Sequence, residues 1–136
     1  MDLLKSLAVA ASGLKGQAGR MRVIAENLAN ADSSPERAGA DPYRRKIVSF
    51  QGKLDRELDA QVVELGRVSR DRSDFRSKYD PGHPAADASG QVKLPNVNSL
   101  IETMDMREAQ RSYEANIGVV TSTRRMIART LEILRA

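Results

Sequence analysis

The 136-residue chain carries 22 Lys and Arg against 18 Asp and Glu, a net charge of +4, so its surface is mixed in sign rather than polycationic. With no cysteine it has no disulfide framework, thiolate metal site or thiol nucleophile. No Trp, two Phe and three Tyr point to a thin core for a single domain of this length.

From Leu4 the residues at 4, 7, 11, 14, 18, 21, 25 and 28 are Leu, Leu, Ala, Leu, Ala, Met, Ala and Leu, an unbroken 4–3 hydrophobic repeat. Repeats of this period predict a helix that buries a narrow seam against other helices. Asp2 is placed to cap it, and it runs from Leu3 to about Ala31, where Asn30, Asp32, Ser33, Ser34 and Pro35 accumulate. Lys5 followed by Ser6-Leu7-Ala8-Val9-Ala10-Ala11 has the look of a short secretory signal. The apolar run is brief, however, and the repeat continues through the supposed cleavage point, which favours a retained helix. Gly13, Gly16 and Gly19 each weaken that helix by on the order of 1 kcal/mol and permit close backbone approach.

After a polar loop over Ser33–Asp41, the β-branched and aromatic members of Tyr43–Phe50 predict a strand, with Arg44, Arg45 and Lys46 on a solvated face. Residues 51–74 are the least legible; Val62, Val63, Leu65 and Val68 suggest a strand broken at Gly66. Phe75–Tyr79 alternates, Asp80-Pro81-Gly82-His83-Pro84 is a turn, and Gln91–Leu94 reads as a last short strand before Pro95. The middle is thus a small β-rich insert, a hairpin or a three-stranded sheet.

Ser99-Leu100-Ile101-Glu102 fits a capping box and opens a second helix that runs to about Leu134. Its seam is Met106, Ala109, Tyr113, Asn116, Val120, Thr123, Ile127, Thr130 and Leu134. Ile117 and Leu131 flank it on one side, and Val119, Met126 and Ile133 on the other. Stripes this wide touch more than one neighbour, and the thin insert cannot cover two helices of this length, so the pattern predicts an assembly. The fold class read from the sequence is mainly α with a small β insert, its long terminal helices packing as a coiled-coil-like pair. The division is an N-terminal assembly helix at 1–31, the insert at 32–95 and a C-terminal assembly helix at 96–136.

Catalytic and metal chemistry find little purchase. The single histidine, His83, sits in a turn, and no nucleophile elbow, phosphate loop, dinucleotide fingerprint or zincin motif occurs. The expectation is a non-enzymatic protein with no cofactor, metal or small-molecule substrate. Acids interleave the bases with no aromatic platform, which argues against nucleic acid. A basic helical nucleic-acid binder and a helical adaptor or export-chaperone-like oligomer stand as the alternatives.

Two segments resemble the bacterial flagellar axial family, the rod, hook and hook-associated proteins. One is Ser12-Gly13-Leu14 with Met21, Ile24-Ala25 and Asn27-Leu28-Ala29-Asn30-Ala31. The other comprises Tyr79-Asp80-Pro81-Gly82-His83-Pro84, Pro95-Asn96-Val97-Asn98 and Arg111-Ser112-Tyr113-Glu114-Ala115-Asn116. The resemblance covers roughly residues 3–50 and 75–134 and is to the proximal-rod members. It implies a structural subunit of the periplasmic rod of the basal body, self-associating in a helical lattice that transmits motor torque for motility. Its implied partners are other rod subunits, the basal-body membrane-ring and adaptor proteins, and the flagellar type III export apparatus, through which it passes without a cleaved signal peptide. The assembly interface expected on this footing comprises Leu4, Leu7, Leu14, Met21, Asn27, Leu28 and Asn30 on the first helix. On the second it comprises Met106, Tyr113, Asn116, Val120, Ile127 and Leu134.

Overall fold

The computed structural model describes residues 2–136. Two long helices bracket a β-rich middle: α1 (Leu3–Ala29), β1 (Lys46–Ile47), β2 (Phe50–Asp55), β3 (Ala60–Leu65), β4 (Ser69–Arg70), β5 (Arg76–Tyr79), β6 (Gln91–Leu94) and α2 (Ser99–Arg135). The strands form three separate antiparallel ladders, β1 with β4, β2 with β3 and β5 with β6.

The helix ends follow local chemistry. Asp2 Oδ1 accepts from the backbone N–H of Leu4 at 3.0 Å, satisfying one of the donors that a first turn leaves without a partner. At the other end of α1, Asn30 Nδ2 donates to the Glu26 carbonyl at 2.9 Å and Ser33 Oγ to the Asn30 carbonyl at 2.9 Å, closing the helix in a turn. The cap of α2 is Asn98, whose Oδ1 accepts from Leu100 N at 3.0 Å. The expected capping box is corrected here: Asn98 takes the role assigned to Ser99, and the Glu102 side chain turns inward.

The strand expected over Tyr43–Phe50 is also corrected. Only Lys46–Ile47 pairs, with Arg70 and Ser69, and the ladder of β2 begins at Phe50. The reason lies in the backbone donors. Arg45 N–H donates to Asn96 Oδ1 at 2.8 Å and Lys46 N–H to Asn27 Oδ1 at 2.9 Å, so side-chain amides occupy what a longer strand would offer a neighbour. The strand expected through Val62, Val63, Leu65 and Val68, broken at Gly66, is β3 as far as Leu65, and Val68 lies outside it. Its partner β2 is the element that the sequence concealed.

The chain forms two compact units. The first contains the chain up to Met21, Ser49–Gly66 and Arg107–Ala136. In it α1 runs antiparallel to α2: Gly13 lies against Asn116, and Arg20 pairs with Glu108 at 3.5 Å. The β2–β3 hairpin packs on α1 through Phe50, Val63 and Leu65. Among the described residues its buried apolar side chains are few, Ala10 and Ala109, beside the polar Thr123. The second unit, Arg22–Val48 with Arg67–Met106, buries Val23, Ile24, Ala31, Ala85, Val92 and Val97.

Candidate assembly interface

The second unit is organised on a buried polar knot. Asn27 is 1% exposed and its amide is fully used: Nδ2 donates to the Lys46 carbonyl at 2.9 Å and to Glu102 Oε2 at 3.1 Å. Its Oδ1 accepts from Tyr43 Oη at 2.8 Å and from Lys46 N–H. Glu102, also 1% exposed, receives the Nε–H of Arg45, whose other nitrogens reach Asp71 at 3.4 Å and Asp105 at 3.7 Å. The basic run is therefore not a solvated face. Arg45 neutralises a buried acid, Lys46 pairs with Glu26, and Arg44 lies 4.1 Å from the Phe75 ring centroid while donating to the carbonyls of Asp71 and Ser73. A charge this deep is tolerated because it is both paired and hydrogen-bonded.

Burial, with Glu26 and Glu102 nearby, pushes the Tyr43 phenol up to about 12, so it stays a donor to Asn27. The neutral phenol is favoured in the fold. Its contribution is fully present below pH 10.0, the ordinary value, and is lost as pH rises toward about 12. Asp71 is shifted the other way: hydrogen bonds from Ser73, and then Arg45, hold its carboxyl below the ordinary value of 3.8. That contribution is present above pH 3.8 and disappears as pH falls through the depressed value. Asp71→Asn is accordingly expected to reduce the difference between urea midpoints measured at about pH 5 and about pH 3.

In the first unit, small residues set the packing distance. A Cβ at Gly13 would stand 2.8 Å from Asn116 Nδ2, and one at Gly19 2.8 Å from Leu65 Cδ2. These glycines weaken α1 as an isolated helix and let α2 and the hairpin close on it. The hairpin turn is held by Asp55 Oδ1, which accepts from Glu57 N at 3.0 Å, and by Asp59 at φ 47°. Lys5 Nζ reaches Asp59 at 3.4 Å. Between α1, the hairpin and α2 lies an open groove of about 760 Å³, lined by Val9, Gly13, Gln17, Phe50, Val63 and Val119 among others. Gln17 Oε1 is buried beside it with no hydrogen-bond partner among the described residues. Gln17→Met keeps the volume and removes that unmet acceptor. It is expected to raise the unfolding free energy of the free chain by about 1 kcal/mol, read as a higher urea midpoint at unchanged slope.

Of the residues expected at an interface, Ile127 is half-buried and Leu134 exposed near the end of α2, and the others fall into three groups. Asn27 lies wholly inside the knot, and Asn30 serves the end of α1. Met106, Tyr113, Asn116 and Val120 are half-buried on α2. The seam of α1 is turned aside: Leu7, Leu14, Met21 and Leu28 are half-buried and Leu4 is 66% exposed, whereas Ala10, Gly16, Ile24 and Asn27 face inward.

At its far end α2 outlasts its partner. Leu3, at the start of α1, shares a depression with Ser122 and Met126, and every residue from 128 to 136 is exposed. Here Met126, Ile127, Thr130, Leu131, Ile133 and Leu134 occupy an arc of roughly 160° at 3.6 residues per turn, with Arg124, Arg125, Arg129, Glu132 and Arg135 opposite. Leu134 is 77% exposed and Ile133 76%. The chain therefore presents two different apolar stripes, one along α1 and one at the end of α2.

These helical ends place the molecule in a class. Residues 7–34 match the family described as flagella basal body rod protein, and residues 88–133 match the flagellar basal body rod FlgEFG protein C-terminal family. Along its whole length the chain is similar to curated proteins named flagellar basal-body rod protein FlgC. The relative from Agrobacterium fabrum is 50% identical, covering 100% of this chain and 99% of the relative. The relatives from Bacillus subtilis and Salmonella typhimurium are 38% and 39% identical, each covering 98% of this chain, and 99% and 98% of the respective relative. The chain belongs to the FlgC family of flagellar basal-body rod proteins, and it is a structural subunit of the rod of the flagellar basal body.

Proposed function

We propose that the chain is a subunit of the proximal rod, polymerising with sister rod subunits into a helical tube that transmits motor torque. The observation that carries this reading is the pair of dissimilar apolar stripes. Leu4, Leu7, Leu14, Met21 and Leu28 form one, and Ile127, Leu131 and Leu134 form the other. Two unlike surfaces on one chain give head-to-tail contacts, and contacts that do not close a ring build an open helix. The terminal segments 1–31 and 96–136 act as the assembly elements, packing in coiled-coil fashion on docking, and the middle of the chain sets their spacing.

The shallow core of the first unit supports the same reading, because a helix pair that buries little alone gains most from neighbours. In this role the subunit sits in the periplasm, passes through the flagellar type III export apparatus without a cleaved signal, and meets the membrane-ring and adaptor proteins at the rod base. The test is complementation. Expressed in a strain lacking its own FlgC-family rod protein, the chain is expected to restore complete basal bodies and swimming. Complementation by a version truncated after Met126 would overturn the proposed role of the α2 end.

A further inference from the structure

The groove of about 760 Å³ in the first unit is walled by Val9 of α1, Phe50 and Val63 of the hairpin and Val119 of α2, each more than a third exposed. It follows α1 from Asp2 to Gln17, a length of ~22 Å at 1.5 Å per residue. The same unit carries an apolar helix end that fits along it. From Met126 to Arg135 α2 continues for ~14 Å beyond Leu3 of α1, with Leu131, Ile133 and Leu134 exposed.

We propose that this groove receives the α2 end of a second copy of the same chain, an assignment that rests on the rod reading above and names one contact within it. The incoming stripe covers Val9, Phe50, Val63 and Val119. Charge selects this occupant. The Lys5–Asp59 pair at 3.4 Å holds the hairpin turn beside the start of α1, where Asp2, Asp55, Glu57 and Asp59 outnumber Lys5 and Arg56. Residues 124–136 have the opposite balance, with Arg124, Arg125, Arg129 and Arg135 against Glu132. On the helical wheel Arg129 borders one side of the apolar stripe and Arg135 the other, so a seated stripe brings both to the acidic lip. The chain's own α2 end cannot take this place. α2 already forms one wall through Asn116 and Val119, and it continues from there as an unbroken helix past the start of α1. A helix end of this length covers less than the ~800 Å² per partner of a stable pair, so the contact holds only where neighbouring contacts add to it. The stripe of Leu4, Leu7, Leu14, Met21 and Leu28 lies outside the groove and is left for a different neighbour.

The test uses the cysteine-free chain in a strain that lacks its own rod protein of this family. Val9→Cys and Leu134→Cys are combined in one chain, and purified basal bodies are treated with a short bismaleimide. A covalent dimer of two copies is expected there, and none from the same chain free and dilute or from either single-cysteine chain. Val119→Cys with Leu131→Cys is a second pair, with the same expected result, should the first not assemble. Basal bodies from swimming cells in which neither pair yields the dimer would overturn the proposal and leave the rod reading standing. A product joining this chain to a different protein would do the same. A parent chain that restores no basal body would overturn the rod reading, and the proposal with it.

Discussion

Glu102→Ala is expected to lower the unfolding free energy by about 3–5 kcal/mol, a large part of the stability of a chain this size. The carboxylate is 1% exposed and joins three segments: α1 through Asn27, the β1 approach through Arg45, and α2, which carries it. Its removal takes the nearest partner from the Arg45 guanidinium, leaving it to Asp71 and Asp105, opens a cavity where the carboxylate was buried, and leaves one donor of Asn27 unmet. Two controls separate the charge from the packing. Glu102→Gln keeps an acceptor in place and is expected to cost less. The pair Glu102→Leu with Arg45→Met removes both charges together and is expected to recover much of the loss, because the desolvation penalty disappears with them. Urea unfolding followed by circular dichroism measures all three. A Glu102→Ala chain within 1 kcal/mol of the parent would refute the central position of the knot.

The second large effect is on assembly. Leu4→Asp and Leu134→Lys each place a charge on an exposed stripe, and each charge suits its end of the helix, negative near the start of α1 and positive near the end of α2. Neither is expected to change the unfolding free energy of the free chain by more than about 0.5 kcal/mol. In the rod each charge would be buried against an apolar neighbour. The penalty of several kcal/mol corresponds to a hundredfold or greater loss of association. The expected phenotype is a soluble, folded subunit and non-motile cells. Normal swimming with either substitution would show that its stripe is not an assembly contact.

The helical ends were legible because a 4–3 repeat survives one-dimensional reading, and the Phe75–Tyr79 and Gln91–Leu94 strands because alternation and flanking turns mark them. The inward face of α1 was not. Hydrophobicity ranks Leu4, Leu14 and Met21 above Gly13, Gly16 and Ala10, but close packing selects the small residues, and the larger ones stay at the flank. The β2–β3 hairpin was hidden for a similar reason. Gly52 interrupts its inner row of Phe50 and Leu54, and its turn, Arg56–Asp59, contains neither Gly nor Pro; Asp59 supplies the left-handed residue. Glu102 was misread through its spacing from Ser99, which suits a capping box. Pairing with Arg45, 57 positions away, could not be inferred from local pattern.

Because the chain lacks cysteine, a single thiol can be placed at will. With Leu131→Cys, 55% exposed in the isolated chain at the parent position, maleimide labelling should be fast in the free subunit. In intact purified basal bodies it should be strongly suppressed. Equal labelling rates in the two states would contradict the claim that the bare end of α2 is covered when subunits join.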